Sequence, residues 1–222
     1  MNKSLLLAAA AAVVMTAASA QAVEVKQYVS LKGNYAKVQN TWKEDDGKMK
    51  FKDGAFGGSL AYGVKLGDFR TELEGSYNES ADSKKTLFDE EEDGSSLTTL
   101  LKVKTDVESA MWNAYYDIPT GIALRPYVGA GIGIARVKTT CKWSDDSGDP
   151  TDSAGKDSTR SVNLAYQFGA GVSYDVTQNW ALDAGYRYAD YGSYKKRWFD
   201  DNYKTKFSVK SHNFYLGARY TF

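Results

Sequence analysis

The side chains able to do covalent chemistry are few. The chain has one histidine, His212, and one cysteine, Cys141. Ser211 and Asn213 flank the histidine, which is the company an activated nucleophile keeps: an imidazole takes the proton of an attacking oxygen. The spacing works against it. His212 belongs to an alternating segment that continues into Phe214-Tyr215-Leu216, and successive residues of a strand project to opposite faces. Ser211 and His212 therefore point apart, with His212 on the face of Phe214. A single cysteine excludes an internal disulfide and a multi-cysteine metal site. The polar neighbours of Cys141 place it in a loop, as an unpaired thiol or one half of an intermolecular bridge. The acidic run Asp89-Glu90-Glu91-Glu92-Asp93 lacks the ligand spacing of a calcium loop; such a block repels itself and stays solvated. Gly129, Gly131 and Gly133 have the glycines of a phosphate loop without its strand–turn–helix setting. No catalytic, metal or cofactor set is expected.

What remains is a set of charges in alternating segments: Lys32, Lys65, Arg70, Glu72, Glu74, Asp183, Arg187 and Arg219, each on the face opposite the apolar residues. The segments that would position them recur along the whole chain. Strand one is expected at 25–38, with Val29, Leu31, Gly33 and Tyr35 on one face and Ser30, Lys32 and Asn34 on the other. Strands two to eight follow at about 54–66, 69–78, 105–118, 123–138, 161–176, 180–190 and 205–222. The period is two throughout, with no convincing helical period. Short connections at Gly67-Asp68, Pro119-Thr120-Gly121 and Thr177-Gln178-Asn179 alternate with long polar ones at 39–53, 79–104, 139–160 and 191–204. Within the second of these, Leu97 to Val103 is apolar enough to extend strand four well beyond its neighbours.

The ends add a location. Lys3, an apolar run from Leu5 to Met15 and Ala18-Ser19-Ala20-Gln21-Ala22 read as a basic start, an apolar core and a small-residue cleavage site. Residues 1–22 are expected to be a cleaved secretory signal and 23–222 the folded domain. The apolar run falls short of the roughly 20 residues of a spanning helix. At the other end, Phe214, Leu216, Ala218, Tyr220 and Phe222 share a face up to the last residue, and an alternating strand closing on an aromatic resembles the sorting signal of outer-membrane barrels, with Tyr220 and Phe222 as its aromatic residues. Formal net charge is zero over 28 basic and 28 acidic residues, which offers nothing to a nucleic acid. Mean hydropathy is −0.49, low for a helical membrane protein but not for a barrel, in which every second residue faces lipid.

The expected fold is all-β: an eight-stranded antiparallel up-and-down transmembrane barrel, closed so that no edge is left unpaired in lipid. A soluble barrel would show the same alternation with the apolar face inward. Two features favour lipid outside. The opposite face of strands five and six is mostly small residues, which suits the narrow interior of eight strands; Trp180, Tyr174, Tyr116, Tyr220 and Phe222 sit near strand ends, as an interfacial girdle would. The eight charges then lie inside, where they must be paired or wet. They form either a polar plug with trapped water or the lining of a narrow, gated ion path.

Asn113-Ala114-Tyr115-Tyr116-Asp117, Arg125-Pro126-Tyr127-Val128-Gly129-Ala130-Gly131-Ile132-Gly133, Gly169-Ala170-Gly171-Val172, Gly185-Tyr186-Arg187-Tyr188 and the terminal Leu216–Phe222 resemble the opacity/OmpA-like surface barrels of Gram-negative bacteria, over essentially all of 23–222. The resemblance implies an outer-membrane location, four long extracellular loops, and a role in envelope integrity or surface interaction as an adhesin or antigen. A narrow-pore porin is the alternative. A lipid A-modifying enzyme is less supported, since the order around His212 departs from the deacylase pattern. Full-length OmpA adds a peptidoglycan-binding domain that this sequence does not lead one to expect. The implied partners are outer-membrane lipid, including lipopolysaccharide, the barrel assembly machinery, and a host or matrix ligand met through loop aromatics such as Trp42, Phe88, Trp143, Trp198 and Phe199.

Overall fold

A computed structural model describes residues 24–44, 47–80, 83–90, 96–146, 154–197 and 204–222. They form nine strand segments: β1 Val25–Glu44, β2 Gly47–Leu66, β3 Phe69–Ser80, β4 Ser83–Glu90, β5 Ser96–Asp117, β6 Leu124–Asp146, β7 Ala154–Asp175, β8 Trp180–Arg197 and β9 Lys204–Thr221. Segments β3 and β4 pair in succession with the same edge of β5, residues 69–79 against 106–116 and 83–90 against 96–103. They are one stave interrupted, so the ring has eight staves. It closes where β1 pairs antiparallel with β9 from Tyr28↔Thr221 to Lys43↔Lys206.

One end of the barrel holds the short turns and both described chain ends. Gly67 takes a left-handed φ of 58° in the two-residue connection from Leu66 to Phe69, the backbone that tight hairpins require. Ladder hydrogen bonds continue through this end: Asp117 N–H donates to Asp68 O at 2.8 Å, Thr221 N–H to Asn179 O at 2.8 Å, and Phe222 N–H to Gln27 O at 2.9 Å. We call it the lower end.

The lower strand boundaries fall within a residue or two of expectation. The upper ones do not. β1 runs to Glu44 instead of 38, β5 begins at Ser96 instead of 105, β6 reaches Asp146, and β7 starts at Ala154. Much of the polar sequence expected as loop is ladder; the Leu97–Val103 stretch extends its strand, as its apolar residues allowed. Cys141, expected in a loop, stands in β6 opposite Val103 and Asp157. Trp42, Phe88 and Trp143 also stand on strands, in β1, β4 and β6. Polarity misleads here because ladder hydrogen bonds use only the backbone, and above the membrane a strand needs an apolar face only on the inside. Among the described pairs the register shifts once, in β8 between Asp190 and Ser193. Gly192 adopts φ 79° there and its N–H donates to Asp190 Oδ1 at 2.9 Å; the extra residue makes a bulge.

Large apolar side chains cover the lower outside: Leu31, Leu60, Ile132, Leu164, Leu182 and Leu216 are exposed, Leu216 to 71%. Two aromatic belts bound this surface. Phe69, Tyr116, Tyr174, Trp180 and Phe222 lie at the lower end, and Tyr35, Phe56, Tyr77, Tyr166 and Phe214 lie higher. Rings meet in pairs within each belt, Trp180–Tyr220 and Phe69–Tyr116 at 5.0 Å and Tyr35–Phe56 at 5.2 Å. Phe69 and Tyr77 are eight residues apart on β3, about 26 Å of strand and about 20 Å of height at a tilt near 40°, close to the height of a membrane-barrel apolar band.

Candidate functional site in the barrel lumen

Between the aromatic belts, inward positions carry charge. Of the eight charges singled out from the sequence, Lys32, Arg70, Glu72, Glu74, Asp183, Arg187 and Arg219 are buried and Lys65 is half-buried. The ladder brings them together from distant sequence. Lys32 Nζ on β1 donates to Glu72 Oε1 at 2.5 Å and Glu74 Oε2 at 2.8 Å on β3. Arg187 Nη1 on β8 crosses the lumen to Glu74 Oε1 at 2.5 Å. Below this cluster, Arg219 lies 3.4 Å from Asp183 and donates to Ser173 Oγ at 2.6 Å.

Part of the network was not singled out from sequence. Asp117, fully buried, accepts from Arg70 at 2.8 Å and sits 3.4 Å from Lys65 Nζ. Arg125 pairs with Asp175 at 2.5 Å at the lower mouth. Tyr28 and Tyr115 donate to Glu72 at 3.1 and 2.9 Å, and Tyr127 and Tyr215 share a 2.8 Å hydrogen bond. Arg70 rests 4.9 Å from the ring centres of both Tyr115 and Tyr127. Continuing the alternation Met111, Asn113, Tyr115 by one step would have placed Asp117 inside.

These rings fit because the neighbouring stave has no side chain to meet them. A Cβ on Gly129 would fall 2.2 Å from Tyr115 Cδ1, and one on Gly63 would fall 2.4 Å from Tyr28 Cζ. The small-residue face of β6 and β7 is thus occupied by its neighbours' side chains. The lower mouth opens into a cavity of about 220 Å³ bordered by Lys65, Arg125, Arg219 and Tyr28. Breaking such a network by deleting one partner strands a buried charge, a loss on the order of 3–5 kcal/mol.

Higher in the lumen the chemistry changes. Asn34 donates to Asn78 at 2.6 Å, and Ala36, Val38, Ala55, Val107, Met111, Ala135, Val137, Ala165, Ala189, Tyr191 and Val209 form one buried apolar cluster that starts at Met111, opposite Glu74, and continues above the asparagines. Val107 and Val137 are 0% and 1% exposed. This second tier was not expected; its signal is the apolar inward residue of β1, β5, β6 and β9 just beyond the upper belt. On the outside at this height the residues are charged. Arg136 donates to Glu108 at 3.0 Å, Lys210 lies 3.4 Å from Asp190, and a hydrogen bond to Glu79 is the chief cause that raises Lys104 above the ordinary lysine range.

Ser211 is fully buried inside the lumen, whereas His212 stacks with Tyr186 outside and shares a 2.7 Å hydrogen bond with its hydroxyl through Nδ1. The pair is thus split across the wall. Tyr220 and Phe222 meet edge to face at 5.3 Å at the lower rim. Trp198 and Phe199 lie outside the described residues.

The family model described as "Outer membrane protein beta-barrel domain" matches residues 6–222. Among curated proteins, the outer membrane protein PagN of Salmonella typhimurium is 29% identical over 83% of each chain. A Rickettsia conorii protein whose name includes "adhesin" is 32% identical over 58% of this chain and 52% of its own. The chain matches only 30% of the length of an uncharacterized Brucella abortus protein, at 48% identity. Among solved structures, neisserial surface protein A superposes with a TM-score of 0.52, covering 88% of this chain and 97% of that one at 23% identity. The chain, an outer-membrane protein of the Gram-negative cell envelope, belongs to the outer membrane protein beta-barrel domain family.

Proposed function

We propose that this protein is a closed, non-conducting surface barrel that works by presenting its upper end to a host or matrix ligand, with a contribution to envelope integrity. The carrying observation is the filled lumen: a paired charge cluster from Lys32 to Arg187 lies beneath a dry apolar stack from Val38 to Val209. Eight strands leave little room for more than side chains. In this reading the lower end faces the periplasm, the four hairpins of the upper end stand outside the cell, and Trp42, Phe88, Trp143, Trp198 and Phe199 supply contacts there. Rigid scaffolds commonly carry recognition on such segments. The relative named an adhesin supports the direction. Tyr220 and Phe222 address the chain to the barrel assembly machinery. Lipopolysaccharide and the other outer-membrane lipids surround the apolar band.

A narrow ion path is the second reading, favoured by the cavity that reaches Arg219 and Tyr28 from the lower mouth. The test is conductance and solute uptake by the refolded chain in liposomes, with folding verified by the gel shift between boiled and unboiled samples. It is paired with adherence to epithelial cells of bacteria displaying the full chain. A folded, silent barrel that increases adherence supports the proposal. Steady conductance transfers the function to the lumen; silence with no gain in adherence removes the adhesin reading.

A further inference from the structure

Cations stack on the outer wall of β5, β6 and β7 just above the lipid-facing surface. Cross-strand register gives the rows directly. Ala110, Ile134 and Leu164 are opposite one another; above them come Glu108, Arg136 and Val162, then Asp106, Lys138 and Arg160, then Lys104, Thr140 and Ser158. Lys102, Lys142 and Lys156 occupy the ladder positions of the next row, and Lys84 on β4 stands opposite Lys102. Round the barrel, Lys48, Lys43, Lys206 and Lys195 hold mutually opposite positions on β2, β1, β9 and β8.

Of the nearby carboxylates, Glu108 and Glu79 are paired, and Asp106, opposite Lys138 on β5, has an Oδ1 without a hydrogen bond. Glu108 pairs with Arg136, and Lys104 pairs with Glu79 and lies 3.9 Å from Asp106. Lys138 and Arg160 face each other across the β6–β7 ladder, and no ion pair or side-chain hydrogen bond joins either to a described residue. Like charges directly opposite on antiparallel strands destabilise the pair unless an anion lies between them.

We propose that Lys138 and Arg160 bind the phosphorylated headgroup of a glycolipid in the surrounding outer leaflet. This rests on the upper end being the outer-leaflet side. The geometry selects a membrane lipid over a soluble polyanion. Arg160 is four residues beyond Leu164, itself 68% exposed, which is about 10 Å of height on a tilted strand. An acyl chain against Leu164 and Ile134 would carry its headgroup to the cation pair.

The experiment uses the full refolded barrel in phosphatidylcholine nanodiscs doped with diphosphorylated lipid A or with its dephosphorylated form. Lipid retained per barrel is counted by native mass spectrometry. Wild type is expected to retain the phosphorylated lipid preferentially, with retention falling about fivefold for each cation removed in Lys138→Gln, Arg160→Gln and the double variant. In pure phosphatidylcholine the double variant should unfold at a temperature no lower than wild type; with lipid A present it should unfold lower. Equal retention of the two lipids, or wild-type retention by the double variant, overturns the proposal. So does displacement of lipid A by heparin that binds as tightly in pure phosphatidylcholine, which would assign the face to a soluble polyanion. None of these outcomes bears on conductance or adherence.

Discussion

The lower and upper halves of this barrel use the same two-residue period with opposite sense. Between the belts, leucines and aromatics point out and charges point in: Leu31 is exposed while Lys32 is buried. Beyond the upper belt on the same strand, Lys37 is exposed and Val38 is buried. On β6 the switch comes between Ile134, outside, and Ala135, inside, with Arg136 outside and Val137 inside thereafter. The strand does not change; its surroundings do. In hydrocarbon the apolar face belongs outside and the narrow lumen must be packed with paired charge. In water the hydrophobic effect reclaims the lumen, and the wall above the membrane becomes that of a soluble barrel. One fold thus contains a membrane-type interior beneath a water-type interior.

The contrast predicts unequal responses to substitution. The largest is expected at Glu74→Ala, which strands Arg187 and leaves Lys32 with Glu72 alone and should lower unfolding free energy in urea by about 3–5 kcal/mol. Leu216→Arg puts a charge into the lipid-facing band and should cost about 2–4 kcal/mol, while an arginine at Ser193, exposed on the upper wall, should change stability by less than about 0.5 kcal/mol. Similar costs at both sites would mean that the band extends farther up than the belts indicate. Val107→Ala removes two buried methyl groups from the upper tier, worth about 1.6 kcal/mol, and should speed proteolysis of the upper strands before the lower ones. A smaller loss than in either tier is expected for Arg136→Gln, which breaks an exposed ion pair and should cost less than about 1 kcal/mol and be masked by salt.

The same inversion explains what could be read from the residues alone. The lower staves were legible because an apolar side chain at every second position, as in Leu60, Tyr62 and Val64 or Phe168, Ala170 and Val172, overrides the polar intervals. The eight interior charges followed from that alternation. Their pairing did not: Lys32 and Glu72 are separated by 40 residues, and only the register of three staves brings them within reach. The upper staves read as loop because Lys, Asp, Thr and Ser fill their outer face, and because their inner face, with Val38, Val107, Val137 and Val209, contributes too few apolar residues per strand to establish a period. Cys141 was misplaced for this reason, its neighbours being polar on both sides.

A thiol-accessibility scan tests the inversion most directly. Single cysteines at each position from Val128 to Lys138, in a Cys141→Ser background and in liposomes, are exposed to a membrane-impermeant maleimide. The account predicts labelling at Arg136 and Lys138, protection of Val128, Ala130, Ile132 and Ile134 by lipid, and protection of Ala135 and Val137 by the dry upper lumen. Labelling at Ala135 or Val137 in a folded barrel would show water inside the upper tier and contradict it.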